Sequence, residues 1–412
     1  MIGRMQMMSQ QEKLPAEFLG GDANAAAGAA RVLLVITTIL VVFGLTMLYS
    51  TSYGVAGMKY FRMQLIWLTL GMGMGGAVFL VGYRRVASWW PVLVGGVLVL
   101  LVIALFSKEV NGAHRWIQIR LPGMGRLGIQ PSEFAKVILA LTTAKYCSDH
   151  YRTFHELKRW KGGLLNFAVI VGPVLIGILI GRDFGTTVLA SAMVFLTLLA
   201  AGLPARWVAF PVGMLGAAFF YIMSCDPMRR ARILSFWNPE KDASTIGYQL
   251  WNGFLALGAG GWNGVGFMES RMKAHYLPES HTDFILSIVG EELGLIAMVV
   301  VMIGYGIFCW SGIRISIHAP TRLGMLLGFG LTIYITLQAL INIAVISGSI
   351  PTKGMPAPFI SYGGSNLLSC MTAVGLLLSI AQETVTPDYN KHILAYLRRK
   401  WPFGKTDEEN GE

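Results

Sequence analysis

The sequence predicts an all-α integral membrane protein of about ten transmembrane helices, on three observations. Only 13% of the 412 residues are charged while 54% are hydrophobic, whereas a soluble domain carries roughly 25% charged residues. Several apolar runs, among them Arg31 to Ser50, Gln64 to Val81 and Trp207 to Met223, reach the roughly 20 residues that a helix needs to cross a bilayer. The charged, Gly-rich and Pro-rich segments fall between those runs, which is where polar backbone can be solvated when lipid surrounds the rest.

In chain order, residues 1–30 form a polar tail without the pattern of a cleaved signal, and the first apolar run is long enough to remain as an anchor. Spans are expected near 31–50, 63–82, 91–107, 132–147, 163–181, 185–202, 206–224, 284–310, 323–346 and 365–383. They form a 31–383 membrane domain, followed by a 384–412 tail. An even number of crossings puts both termini on one side. The short connections on that side carry the excess of Lys and Arg, and the long 225–283 loop is exempt from the positive-inside rule, so the termini are expected in the cytoplasm. Arg398, Arg399 and Lys400 add a basic cluster beyond the last span, suited to anionic lipid. The two most polar connections, 107–131 and 225–283, then lie outside. No internal repeat is visible, which weighs against a transporter.

The net charge of +11 does not indicate a nucleic-acid partner, because the basic residues are scattered through connections without interleaved aromatics. Cys147, Cys225, Cys309 and Cys370 show no paired spacing and are expected as free thiols. The histidines are dispersed and form no metal-ligand pattern.

Charge near lipid has to be explained, since an ionised side chain at the centre of a span costs at least ~2.5 kcal/mol. Glu133 and Lys136, spaced i, i+3, can neutralise each other, as a structural pair or as part of a site. Lys145 is expected to snorkel. Asp183, in the tight turn Gly181 to Thr186, can cap the next helix or serve a site. Asp283 closes LPESHTDF at the mouth of a span; low-dielectric walls there would raise its pKa towards that of a general base, while an N-cap is the plainer role. Glu291 and Glu292, farther along, are expected to bond neighbouring helices. Arg115, Arg271, Lys273 and Lys353 fall on the same outer side. An acid with several cations on one face suits an anionic, lipid-anchored substrate such as a pyrophosphate.

Five motifs in order, NGAHRWIQI with IQPSEFAK, GRDFGTTVL, GYQLWNGFLALGAGGWNGVGF, YLPESHTDFILSIVGEELG and IPTKGMPAPFISYGGSN, resemble the shape, elongation, division and sporulation (SEDS) family across roughly residues 30–385. The lysine of PTKG resembles the division branch. GRDFGT stands where the family usually has QPDLGT, and YGGSN where it has YGGSS, so Arg182 replaces a proline beside Asp183. The resemblance implies a peptidoglycan glycosyltransferase that polymerises lipid II into glycan strands at the outer membrane face, with undecaprenyl pyrophosphate leaving and inversion at the sugar. It implies Asp283 as the catalytic base, and Lys353, Arg115, Glu279, His281, Ser361, Gln130 and Asp183 on the substrate. A divalent cation, Mg2+ or Mn2+, is a possible helper, and the implied partners are a class B penicillin-binding transpeptidase and division-machinery proteins. A lipid II flippase and a non-catalytic scaffold for the transpeptidase are the competing expectations.

Overall fold

The computed structural model describes residues 22–109, 114–121, 125–153, 162–205, 235–237, 239–245, 247–273 and 276–387, with 207, 213, 216 and 389. Most of the expected span 206–224, the basic cluster 398–400 and Cys225 lie outside the described residues.

The apolar runs fold as helices close to their expected bounds. These are α1 (Ala23–Ala56), α2 (Lys59–Val81), the short α3 (Tyr83–Ser88), α4 (Trp90–Leu105), α5 (Pro131–Asp149), α6 (Leu164–Ile180) and α7 (Phe184–Ala200). After them come α8 (Tyr248–Gly260), α9 (Ile285–Ile317), α10 (Arg322–Ile346) and α11 (Gly364–Val385). Of these, α1, α2, α9, α10 and α11 are long and apolar enough to cross a membrane, while α4, α6 and α7 are shorter apolar helices. The first helix starts earlier than the apolar run because Asp22 caps it, accepting from Asn24 N at 2.9 Å.

Two connections expected as irregular contain structure. In the first, β1 (Ile117–Leu121) and β2 (Gly125–Ile129) form an antiparallel hairpin with Ile117 opposite Ile129. That register brings the segment before β1, which holds Arg115, beside Gln130 and the start of α5. In the second, α8 packs against the first turns of α9.

The expected span 284–310 falls within α9, which carries a break. α9 is interrupted at Gly294, whose φ of 75° and ψ of −174° lie in a region essentially open only to glycine. The backbone groups freed by the break are satisfied from the loop after α8. Leu295 N and Ile296 N donate to Gly261 O and Trp262 O, and Val265 N and Gly266 N donate to Glu291 O and Glu292 O. The stretch 285–293 is thus an arm set off by the break, buried except at the partly exposed Leu293, and 295–317 continues the helix beyond it.

Inside the bundle, α11 lies along α2 and packs against α1 and α5, while α10 packs on α5, α7 and α9. Helices in lipid approach closely through small residues, and Gly75 and Gly375 show this: a Cβ on Gly375 would lie 2.2 Å from Gly75 O. The Gly375→Val substitution is therefore expected to lower stability by about 1–3 kcal/mol or more, seen as a lower thermal unfolding midpoint in detergent. Gly73→Ala, with nothing within 4 Å of the new methyl, should leave the midpoint unchanged or slightly raised.

Candidate active site

Asp183 is the centre of a buried polar cluster. It is the N-cap of α7, accepting weakly from Thr186 N at 3.4 Å, and its other oxygen accepts from Gln130 Nε2 at 2.7 Å and Ser132 Oγ at 2.8 Å. Arg115 Nη1 lies 3.9 Å from Oδ1. The cap and site roles are therefore not exclusive. Arg182 takes a left-handed φ of 62° to make this turn, an angle closed to the proline that usually stands there, so the turn around Asp183 differs from one that a proline would make.

Lys353 approaches the same carboxylate from the loop between α10 and α11. Its Cδ passes 3.7 Å from where a Cβ on Gly185 would sit. Burial pushes the Lys353 ammonium below its ordinary range, and Asp183 pulls it back up. Two cations thus flank one buried carboxylate, and Arg115 keeps a buried Nε without a hydrogen-bond partner.

Asp283 lies next to this cluster at the head of the 285–293 arm. Its Oδ2 is so close to the backbone of Gly354 that a Cβ there would come within 2.8 Å. Burial, reinforced by the Glu279 carboxylate, pushes the Asp283 acid up to about 7, against the opposing pull of Arg115. Its neighbour Phe284, not Asp283, occupies the N-cap position of α9 and makes no side-chain cap bond, so the plainer capping role does not account for Asp283.

The remaining candidates are placed differently. Glu279 is exposed, with φ of 54°, and accepts from Thr282 Oγ1 at 2.7 Å. His281 stacks on Tyr60 at 4.3 Å between ring centroids and accepts through its carbonyl from Tyr362 N at 2.9 Å; burial lowers the pKa of its imidazole. Ser361 is buried and its Oγ accepts from Ala357 N at 2.8 Å, closing the turn before α11. Glu133 and Lys136 do pair, at 2.8 Å, but the ammonium is enclosed by Gln338 Oε1 at 2.7 Å and the Tyr334 ring at 4.8 Å. Lys145 pairs with Asp149 at 2.8 Å.

Two expectations are revised. Lys273 is committed to Glu292 at 2.7 Å, with Ser50 of α1 bonded to the same carboxylate at 2.7 Å. Glu291 accepts from Arg271 N at 2.9 Å and from Ser270 Oγ. The pair therefore ties the loop after α8 to the α9 arm, and only Glu292 reaches a neighbouring helix. A signal that went unused is Gln338 and Asn342, two amides spaced i, i+4 on apolar α10. Gln338 Nε2 donates to Pro356 O at 2.8 Å, and Asn342 Nδ2 donates to Asp283 O at 2.8 Å and to Met355 O at 2.7 Å.

The chain matches a family model, FtsW/RodA/SpoVE, described as "Cell cycle protein", over residues 30–386. It is 35% identical over 360 residues to the "Probable peptidoglycan glycosyltransferase FtsW" of Geobacter sulfurreducens, covering 85% of this chain and 94% of the relative. It is 33% identical over 361 residues to the stage V sporulation protein E of Bacillus subtilis, covering 85% of this chain and 96% of the relative. In fold it resembles the rod shape determining protein RodA of Thermus thermophilus, with a TM-score of 0.63 at 23% identity, covering 85% of this chain and 96% of that one. A chain from "Structural coordination of polymerization and crosslinking by a peptidoglycan synthase complex" gives a TM-score of 0.70 at 25% identity, covering 86% and 98%.

Because Asp183 gathers α5, α7 and the hairpin segment on one carboxylate, Asp183→Ala should cost about 2 kcal/mol or more through the lost cap and the orphaned donors. Thermal unfolding in detergent measures this, with Glu279→Ala, at an exposed site, expected to leave the midpoint in place.

Proposed function

The chain belongs to the FtsW/RodA/SpoVE family, and from that membership we propose that it is a peptidoglycan glycosyltransferase polymerising lipid II at the outer face of the cytoplasmic membrane, in division. The observation that carries the reading is Asp283: a half-buried carboxylate whose pKa is pushed up to about 7, beside a cluster in which Arg115 and Lys353 flank Asp183. Such a group is about half ionised near neutral pH, and a catalytic base works best when its pKa lies near the working pH.

In this reading Asp283 accepts the proton of the 4-hydroxyl on the GlcNAc of one lipid-linked disaccharide. The oxygen attacks C1 of the MurNAc of another, the bond from C1 to undecaprenyl pyrophosphate breaks, and configuration inverts. Arg115 and Lys353 hold the departing pyrophosphate, which draws on the unsatisfied Arg115 Nε. Gln130 and Ser132 hold Asp183, which in turn keeps the two cations together without neutralising both. A divalent cation, Mg2+ or Mn2+, would be held mainly by the substrate's own phosphates, because no three His, Cys, Asp or Glu side chains converge among the described residues. No step is routed through it.

The topology proposed with this function has ten crossings, cytoplasmic termini and the 225–283 loop outside. A class B penicillin-binding transpeptidase is the proposed partner, a reading supported by the neighbour whose title names a peptidoglycan synthase complex. The flippase reading has less support, since the Glu133–Lys136 pair is closed in by Gln338 and Tyr334 and lines no evident path for a headgroup.

Gel-resolved polymerisation of labelled lipid II by the purified chain with its transpeptidase tests the proposal. Wild type should yield glycan chains and Asp283→Asn none at equal folding; equal product from both removes Asp283 from the mechanism, and none from either favours the flippase or scaffold. The acid limb of kcat/KM is expected near pH 7, with activity lost as Asp283 becomes protonated. Arg115→Ala removes the charge that lowers the Asp283 pKa and should move that limb to higher pH. Glu279→Gln removes a charge that raises it and should move the limb lower.

A further inference from the structure

Asp283 and Lys353 come from loops far apart in sequence, and their mutual position has to be fixed by something that touches both loops. Farther along both loops, Tyr362 N donates to His281 O at 2.9 Å and the Tyr60 ring packs on His281 and Tyr362; next to Asp283 and Lys353 themselves, one polar side chain among the described residues bonds both loops. Asn342, in the last turns of α10, is 1% exposed, and its single amide nitrogen donates to Asp283 O at 2.8 Å and to Met355 O at 2.7 Å. Each contact adjoins a group of the site. The first holds the backbone of Asp283 itself. The second holds Met355, whose own N–H donates to Lys353 O at 3.0 Å, so the turn carrying Lys353 and Gly354 is fixed to the same amide. Gly354 in turn sits against Asp283 Oδ2.

Both protons of the Asn342 amide are thereby used on carbonyls that no helix or strand satisfies. The first turn of α9 offers no partner to Asp283 O, because Ser287 N and Ile288 N both donate to Phe284 O. One turn earlier on α10, Gln338 holds Pro356 O, the next carbonyl along the same loop. α10 therefore presents two amides to the Lys353 loop, and only Asn342 also reaches the loop of Asp283.

We propose that Asn342 is the positioning residue of the site: its amide staples the Asp283 loop to the Lys353 loop and so sets the spacing between the base and the pyrophosphate-binding cation. The inference rests on the glycosyltransferase reading above. It has a consequence beyond rate. The charges that face Asp283 are Glu279 from its own loop and Arg115 from the segment before β1, and neither changes when Asn342 is replaced. What changes is the enclosure of Asp283 by the Gly354 turn. With the staple gone the carboxylate gains water, and its charged form is favoured.

The test is polymerisation of labelled lipid II by the full chain with its transpeptidase, measured against substrate concentration and pH for wild type, Asn342→Leu, Asn342→Gln and Asp283→Asn. Asn342→Leu keeps the volume and removes both donors. It should lower kcat by about 100-fold, the scale of a misplacement near 1 Å, change KM by less than about threefold, and move the acid limb down by about one pH unit. Asn342→Gln, one methylene longer with both donors kept, should show the same changes in smaller degree, and it carries the test if the leucine variant does not accumulate. A normal rate, or a reduced rate with the limb unmoved, overturns the staple, since a loss of folded protein alone scales the profile without displacing it. Full activity of Asp283→Asn would instead overturn the glycosyltransferase base, and with it the premise of the staple.

Discussion

The candidate site of this protein depends on a carboxylate that is buried and must be satisfied. Asp183 is 4% exposed, and a buried anion without partners would cost several kcal/mol. The chain meets that demand from three directions: the start of α5 through Gln130 and Ser132, the first turn of α7 through Thr186, and the segment before β1 through Arg115. Satisfying one anion thus fixes three connections relative to one another. The same anion keeps Arg115 and Lys353 nearby, and the Nε of Arg115 stays without a hydrogen-bond partner.

A parallel arrangement holds Asp283. Glu291 and Glu292 are both buried, and both are satisfied by the loop that follows α8, through Ser270, Arg271 N and Lys273. The break at Gly294 hands the backbone bonds of α9 to the same loop. The short arm 285–293 is therefore clamped by side chains and by main chain, and Asp283 at its head is held by Asn342 and the Gly354 turn. A carboxylate so enclosed is one whose pKa can be raised by desolvation while a neighbouring arginine limits the rise. Two ways of holding a charge contrast among the described residues. Glu133 with Lys136, within α5, and Glu292 with Lys273, from α9 to the loop before it, are closed ion pairs, whereas Asp283 has charged neighbours at a distance and no ion-pair partner among the described residues.

Much of this was legible in the sequence. Apolar length alone located the long helices, though α1 starts eight residues before and ends six after its expected span and α9 ends seven after, because lipid permits little else than a helix for a run of that kind. Asp283, Arg115, Lys353 and Asp183 stood out because charge beside apolar runs is costly and therefore scarce. The hairpin was not legible, since its strands are five residues each and β2 carries two glycines, and neither was α8, a helix of 13 residues inside a loop judged by its polarity. Gln338 and Asn342 passed unremarked although their spacing puts both on one face of α10, because uncharged amides do not register in a count of charge.

The sequence by itself determined the solvent, the helices and the residues able to carry proton and charge, since each of these follows from local composition weighed against the cost of transfer into lipid. The tertiary structure decided which of those residues meet. Lys273 and Lys353 are chemically alike and both lie in polar loops, yet one closes an ion pair with Glu292 and the other enters the Asp183 cluster. Nothing local distinguishes them. The difference is made by the break at Gly294, the register of the hairpin and the amides of α10, which bring together segments distant along the chain and thereby fix which anion each lysine can reach.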